Sequence, residues 1–190
     1  LYILNNAELI YSPQTQQRIA ELTDVLAEPM RADAARQATD LLSEVELIFS
    51  SWGAPRLDAD FLDKAPNLRA IFYGAGALSN VMTEAAWERG IRATSAWRAN
   101  AVPVAEFTQA MIILALKRAL VATRSYREPG MALDRSVMAT AYGATVGLVS
   151  LGAVARDLLP RLQAMDLHLL ASDPHLDEAE ARELGVERVS

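Results

Sequence analysis

Short runs of β-type residues alternate with stretches of helical periodicity along the first half of the chain. Runs at 1–5, 46–51, 68–73 and 91–95 predict strands, and the intervening segments predict helices over 13–28, 32–45, 57–64 and 80–89. The first of these helices places its apolar residues on one face, namely Ile19, Leu22, Val25 and Leu26. This alternation predicts a parallel sheet covered by helices.

The second half of the chain begins with a long apolar helix, predicted over 104–121 and opened by Pro103. Its broad hydrophobic surface predicts burial between two layers or two domains. A polar loop with a turn at Glu128-Pro129-Gly130 follows over 127–144. Next come a strand at 145–149, a turn at 150–152, a helix at 153–165 and a strand at 167–171. This is the βαβ pattern of a mononucleotide-binding half, and Pro160 predicts a kink or an early end of its helix.

Composition narrows the classes of function. The 190 residues carry 18 basic and 24 acidic side chains, a net charge of −6 without a basic stripe, so we expect no nucleic-acid partner. The chain has no cysteine, which removes disulfides and Cys-ligated zinc and is typical of a reducing compartment such as the cytoplasm. We predict no metal site. The apolar stretch 110–116 is well short of the roughly 18–20 residues that span a bilayer, so we also expect no membrane span.

The turn after the predicted strand at 145–149 approximates a dinucleotide fingerprint, which has glycine at positions 150 and 152 and glycine or alanine at 155. Gly152 and Ala155 comply, whereas Ser150 departs from the pattern. Asp173 ends the next strand about 20 residues further on, where a carboxylate accepts hydrogen bonds from ribose hydroxyls and favours NAD. The predicted cofactor contacts are Ser150, Leu151, Gly152, Ala153, Val154, Asp173, Pro174 and His175. The alternative is that this turn is an ordinary strand–helix loop without a bound dinucleotide.

Three segments, in this order and spacing, resemble the D-isomer-specific 2-hydroxyacid dehydrogenase family: Tyr73-Gly74-Ala75-Gly76-Ala77, Asn100-Ala101-Val102-Pro103-Val104-Ala105-Glu106 and Val146-Gly147-Leu148-Val149-Ser150-Leu151-Gly152. The likeness covers essentially the whole chain. It implies an NAD-dependent oxidoreductase that transfers a hydride between the nicotinamide and a small 2-hydroxy or 2-keto acid. The implied fold is α/β, with a flavodoxin-like substrate domain at 1–98 followed by the incomplete first half of a Rossmann nucleotide-binding domain at 99–190.

The same resemblance assigns substrate-binding residues. The backbone amides of Ala75, Gly76 and Ala77 are expected to hold the substrate carboxylate, because successive free amides in a glycine-containing turn form an anion site. As a bare sequence, Gly-Ala-Gly is more often only a loop. Asn100 is expected to contact the substrate and the nicotinamide, although without the family it is typical of a helix N-cap. Trp52 follows a strand and is expected to wall the substrate pocket, or else to pack at a domain edge.

In the resembling family a catalytic Arg, Glu and His lie well downstream of the second nucleotide-domain strand. We therefore expect no catalytic residue within these 190 residues and assign neither His168 nor His175 to catalysis. We also expect the chain to be part of a longer polypeptide whose C-terminal part completes the substrate domain, and which forms a homodimer as in the family. Two alternatives stay open: a non-catalytic NAD-binding sensor or corepressor on the same fold, and a flavodoxin-like module that binds no dinucleotide.

Overall fold

The computed structural model describes residues 1–5, 7–127 and 140–190, so the predicted turn at Glu128-Pro129-Gly130 lies outside the described residues. The chain folds into two compact units, Leu1–Trp97 and Arg98–Ser190. Each unit contains a parallel sheet with helices, which confirms the predicted α/β class. The functional division into a substrate domain at 1–98 and a nucleotide domain at 99–190 stays a prediction.

The first unit is built on a four-stranded parallel sheet in the order β1-β2-β3-β4, formed by β1 (Tyr2–Ile3), β2 (Leu47–Ser50), β3 (Ala70–Tyr73) and β4 (Arg92–Ser95). One face carries the larger core, where Ile48, Phe61 and Ile71 are fully buried. Four helices contribute to this core: α3 (Ala32–Gln37), α4 (Thr39–Glu44), α5 (Ala59–Lys64) and α6 (Glu84–Glu88). The sheet order brings the carboxyl ends of four strands to one edge.

The opposite face of this sheet holds a smaller aromatic cluster, in which Tyr2, Tyr11 and Phe49 pack together. It is covered by α1 (Ala7–Ile10) and α2 (Pro13–Ala20), which contribute Ala7, Ile10 and Ile19. Phe72 stacks on Phe49 with ring centroids 5.0 Å apart. Aromatic pairing of this kind joins β2 to β3 on this face.

Several predicted helices are shorter in the structure. The helix predicted over 13–28 ends at Ala20, so the prediction that Leu22, Val25 and Leu26 continue its apolar face is wrong, and Leu22 is 69% exposed. Thr23 and Asp24 follow, two residues with poor helix propensity, and the Thr23 hydroxyl donates back to the Ile19 carbonyl. The helix predicted over 32–45 is two helices separated at Ala38, whose ψ of 58° is not helical.

Side-chain caps account for the late start of two other helices. The Asp58 carboxylate accepts from the Phe61 amide and begins α5, and the Thr83 hydroxyl accepts from the Ala86 amide and begins α6. The predicted helices at 57–64 and 80–89 therefore exist with shorter bounds. Leu57, excluded from α5, is fully buried and pairs with Met82 in an isolated bridge.

The second unit contains a three-stranded parallel sheet in the order β5-β6-β7, formed by β5 (Ala144–Val149), β6 (Leu167–Ser172) and β7 (Glu187–Arg188). The helix α9 (Ala153–Gln163) connects β5 to β6, and α10 (Glu178–Glu183) connects β6 to β7. Leu158, Leu162 and Ala171 are central to its core. The helix α9 continues past Pro160 to Gln163, so Pro160 does not end it. The predicted βαβ unit is therefore present.

The long apolar helix differs from its prediction. The helix α7 (Trp97–Leu116) starts before Pro103, which lies inside it, and Arg118 with φ 52° separates it from α8 (Ala119–Arg127). Within the described residues only Ala101 and Ala105 of α7 are buried, so the expected burial is not met there. An 18-residue window of α7 has a mean hydropathy of 1.4, which makes the helix long and apolar enough to cross a membrane by length and composition alone. Core helices of soluble proteins meet the same criterion.

An ion-pair network ties α3 to α5. The Arg36 guanidinium donates to both Asp58 carboxylate oxygens at 3.1 and 2.8 Å and to the Arg56 carbonyl at 2.8 Å. Its carbon lies 5.5 Å from the Phe61 ring centroid, a cation–π contact. The hydrogen bond from Arg36 lowers the pKa of the Asp58 carboxyl below its ordinary value. Asp58 thus serves both as a helix cap and as the partner of Arg36.

We expect Asp58→Ala to lower the free energy of unfolding by about 1–2 kcal/mol, because it removes the α5 cap and leaves Arg36 without its main partner. Since the folded-state pKa of Asp58 is lowered, its contribution is present above the ordinary carboxyl pKa of about 4 and is lost as pH falls through the lowered value. Urea denaturation at pH 7 and at pH 3 measures both effects.

The matched control is Asp33→Ala, which removes a carboxylate 3.7 Å from Arg31 in a pair whose side chains are 73% and 77% exposed. If Asp33→Ala lowered the free energy of unfolding as much as Asp58→Ala does, the role of Asp58 as helix cap and partner of Arg36 would be contradicted.

Candidate functional site

The turn from β5 to α9 begins with a backbone conformation that favours glycine. Ser150 has φ 71°, in the left-handed region, and its amide donates to the Ser172 carbonyl at the end of β6, 2.8 Å away. Position 150 is where the dinucleotide fingerprint has its first glycine. The structure therefore has the fingerprint's turn geometry with a serine in the strained position.

The next residue, Leu151, is held through its amide, its carbonyl and its side chain. Its amide donates to Asp173 Oδ2 at 2.7 Å, and its carbonyl accepts from Arg156 Nε at 2.9 Å. Its side chain is 4% exposed in the core of the second unit. The turn is consequently fixed before any ligand binds.

Asp173 connects the two strand ends of this site. Its carboxylate accepts from the amides of Leu151 and His175, the latter at 2.8 Å, and lies 3.3 Å from the Ser150 hydroxyl. The Leu151 amide and then the His175 amide lower the pKa of the Asp173 carboxyl. The group is therefore a carboxylate over the physiological pH range and is available to accept ribose hydroxyls.

Gly152 is the N-cap of α9, and a Cβ built on it has no heavy atom within 4 Å. Its φ of −71° is open to any residue, so the fold itself does not require glycine here. Among the described residues no side chain caps α9, and the amides of its first turn, including Ala153 and Val154, have no acceptor there. Open space above free helix amides fits a diphosphate group.

These residues surround a crevice of about 340 Å³ lined by Ser150, Leu151, Gly152, Arg156, Asp173, His175, Leu176 and Glu180. Five of the eight predicted cofactor contacts therefore line one crevice. Ala153 and Val154 lie in the adjacent first turn of α9, and Pro174 is exposed without lining it. The sequence analysis missed Arg156, Leu176 and Glu180. Among the described residues, no group of three or more His, Cys, Asp or Glu side chains is placed to hold a metal ion.

The predicted substrate turn lies at the carboxyl end of β3 in the first unit. The Gly74 amide donates to the Ser50 carbonyl at 2.7 Å, and a Cβ at Gly74 would lie 2.6 Å from Ile10 Cγ2. The Tyr11 hydroxyl donates to the carbonyls of Ser50 and Phe72 at 2.9 and 3.0 Å. Burial raises the pKa of Tyr11 to about 12. The close approach of Ile10 leaves no room for a side chain at position 74, which explains the glycine there.

The three residues of the predicted carboxylate site follow directly. Ala75 is fully buried, Gly76 is half-buried and Ala77 is exposed, and in the described part of the chain their amides donate to no protein acceptor. Trp52 follows the neighbouring strand β2 and is 60% exposed. Two turns at one sheet edge thus carry Trp52 and the free amides.

Asn100 lies elsewhere, half-buried inside α7 of the second unit. Its interpretation as an N-cap is wrong, because α7 already begins at Trp97.

Comparisons with known proteins identify the family of the chain. The family model described as D-isomer specific 2-hydroxyacid dehydrogenase, catalytic domain, matches residues 7–185. The chain is 28% identical over 134 residues to D-3-phosphoglycerate dehydrogenase of Methanocaldococcus jannaschii, covering 70% of this chain and 26% of that protein. It is 31% identical over 133 residues to (S)-sulfolactate dehydrogenase of Chromohalobacter salexigens, covering 70% of this chain and 43% of that protein.

The fold also matches solved structures. The crystal structure of D-lactate dehydrogenase from Aquifex aeolicus, complexed with NAD and lactic acid, superposes with a TM-score of 0.77 at 18% identity, covering 100% of this chain and 56% of that one. The phosphoglycerate oxidoreductase from Rhizobium etli gives a TM-score of 0.65 at 24% identity, covering 100% and 60%.

The chain spans about a quarter of the length of the phosphoglycerate dehydrogenases that it matches. Because the family model covers nearly all of its residues, with the nucleotide crevice and the glycine turn inside the matched range, the chain belongs to the D-isomer specific 2-hydroxyacid dehydrogenase family.

Proposed function

We propose that this chain is part of an NAD-dependent oxidoreductase that acts on a small 2-hydroxy or 2-keto acid. The observation that carries the proposal is Gly152, a glycine that the backbone does not need, facing open space at an uncapped helix N-terminus. A ligand that approaches the backbone closely explains a glycine at this position. The dehydrogenase names of the relatives favour an enzyme over the sensor alternative.

In this proposal the crevice of the second unit holds the adenosine diphosphate part of NAD. The amides of Gly152, Ala153 and Val154, which have no acceptor in the described part of the chain, bind the diphosphate, and the Asp173 carboxylate accepts from the ribose hydroxyls. Pro174 and His175 lie next to Asp173 and bound the adenosine end. NAD, when bound, supplies or accepts the hydride.

The first unit would hold the acid. The amides of Ala75, Gly76 and Ala77, which have no acceptor among the described residues, form a concave donor site suited to a carboxylate. Trp52 is proposed to form a wall of the substrate pocket. Asn100, the first residue of the family motif at 100–106, is proposed to contact the substrate. The proposal does not specify the side chain of the substrate, because the relatives are named as phosphoglycerate, sulfolactate and lactate dehydrogenases.

We assign no proton-transfer residue within the chain. His168 lies on β6 with its Nε2 2.9 Å from the Glu187 carboxylate, and His175 is an exposed residue of the nucleotide crevice. Both histidines belong to the second unit, whereas the proposed carboxylate site belongs to the first.

The proposal extends to location and assembly. A cytoplasmic enzyme is consistent with the absence of cysteine. A homodimer is consistent with the large apolar side chains that α7 and α8 leave exposed, among them Phe107, Leu120 and Tyr126.

Gly152→Val tests the cofactor site. We expect NAD affinity to fall at least about tenfold, because a branched side chain would enter the space that the diphosphate needs. The free energy of unfolding should fall by no more than about 1 kcal/mol, since a Cβ at this position meets no protein atom and the main cost is a poorer N-cap residue. Isothermal titration with NAD and urea denaturation measure the two effects separately.

The control is Ala164→Val, which adds a branched side chain at the exposed C-terminal end of the same helix. NAD binding by Gly152→Val at wild-type affinity would refute the proposed cofactor site.

Ser150→Gly tests the turn. Glycine relieves the left-handed strain at φ 71°, so we expect the free energy of unfolding to rise by about 0.5–1 kcal/mol while NAD binding is retained. Chemical denaturation gives the stability and titration the affinity. Ser150→Ala is the matched control, because it removes the same hydroxyl but keeps the strain; equal stabilisation by both variants would contradict this explanation.

A further inference from the structure

Arg156 occupies the wall of the nucleotide crevice and holds two different elements at once. Its Nε donates to the Leu151 carbonyl at 2.9 Å, and its Nη2 lies 2.7 Å from Glu180 Oε1 on α10. The guanidinium therefore joins the turn before α9 to the helix that follows β6. No part of the dinucleotide fingerprint includes either residue.

Glu180 is well placed to fix the direction of this guanidinium, because its own backbone is anchored. The Asp177 carboxylate accepts from the amides of Ala179 and Glu180 and so caps α10. On either side of Glu180, Leu176 and Ala181 are buried in the core of the second unit. The contact with Glu180 therefore holds the Arg156 guanidinium against a fixed part of the second unit.

The Leu151 carbonyl belongs to the same peptide group as the Gly152 amide. Because this peptide is trans, its carbonyl and its N–H point in opposite directions. Holding the carbonyl toward Arg156 therefore directs the Gly152 N–H away from Arg156. If the carbonyl were released, the peptide could rotate and present an oxygen in place of an N–H donor, and an oxygen repels a diphosphate.

We propose that Arg156, oriented by Glu180, is a positioning residue that keeps the Leu151–Gly152 peptide in the orientation that binds a diphosphate. This inference rests on the proposed function, since it concerns the same crevice. It assigns the two side chains a role in phosphate recognition without a contact between either of them and the ligand. Asp173, which holds the Leu151 amide, acts on the ribose side of the site.

The proposal predicts an effect that depends on the ligand. Arg156→Met and Glu180→Gln should each weaken the binding of ADP and NAD about threefold to fivefold, a size suited to a partly exposed ion pair, and should change the affinity for adenosine by less than about twofold. The double variant should bind ADP no more weakly than Arg156→Met alone, because both substitutions remove the same contact between Arg156 and Glu180. A purely structural role would lower the affinities for ADP and adenosine together.

Glu180→Gln also separates positioning from direct contact. If Arg156 bound the diphosphate itself, freeing it from Glu180 would preserve or strengthen ADP binding; if it positions the turn, ADP binding weakens. The matched control is Glu178→Gln on the same helix, whose carboxylate lies 3.5 Å from Arg188 and does not contact Arg156. Isothermal titration of the full-length protein with ADP, NAD and adenosine gives the ratios, and thermal unfolding without ligand shows that each variant folds.

The outcomes are distinct. A wild-type protein that binds neither ADP nor NAD would overturn the proposed function together with this inference. A wild-type protein that binds both, with Arg156→Met and Glu180→Gln either unchanged or equally weakened toward ADP and adenosine, would overturn the inference alone. A selective loss of ADP and NAD binding in both variants, absent in Glu178→Gln, supports it.

Discussion

The left-handed backbone at Ser150 is the constraint on which the nucleotide crevice depends. It turns the chain out of β5 so that the next amide meets the Asp173 carboxylate and the next side chain enters the core. Only after this reversal does Gly152 cap α9, at a position where a side chain would meet open space. A serine in this conformation costs free energy that the surrounding contacts offset. The geometry of the crevice is therefore set by the fold itself.

The proposed anion sites of the two units are built in similar ways. Each places a short turn after a parallel strand. In each turn, backbone amides have no acceptor within the part of the chain that the structure describes, at 75–77 in the first unit and at the start of α9 in the second. Side chains from outside each turn hold its surroundings in place. Tyr11 donates to the carbonyls of Ser50 and Phe72 beside the first turn, and Asp173 and Arg156 hold the amide and the carbonyl of Leu151 in the second. Backbone donors suit anions such as carboxylates and diphosphates, because they are fixed in direction and carry no charge that must be desolvated.

The parts of the fold that local sequence determines could be predicted. The β-type runs predict the strands of both sheets, apart from the two-residue β7, because each run is a short local pattern of β-type residues next to a turn or a helix. The placing of Gly152 and Asp173 on one crevice follows from the fingerprint, which is a local pattern around a strand and a helix, and their role in cofactor binding stays a prediction.

The failures concern interactions between distant residues. The end of α2 at Ala20, the break at Ala38 and the exposure of α7 depend on which neighbour each segment packs against, and periodicity does not contain that information. Arg156 and Glu180 were missed for the same reason, since their pairing joins two helices that β6 separates in sequence. The close approach of Ile10 to Gly74 is a further contact of this kind, and it makes the sizes of the side chains at the two positions depend on each other. A methyl group of residue 10 fills the volume that a side chain at residue 74 would need. A homologue with alanine at position 74 should therefore carry a residue smaller than isoleucine at position 10, so that α1 can still pack against the turn after β3.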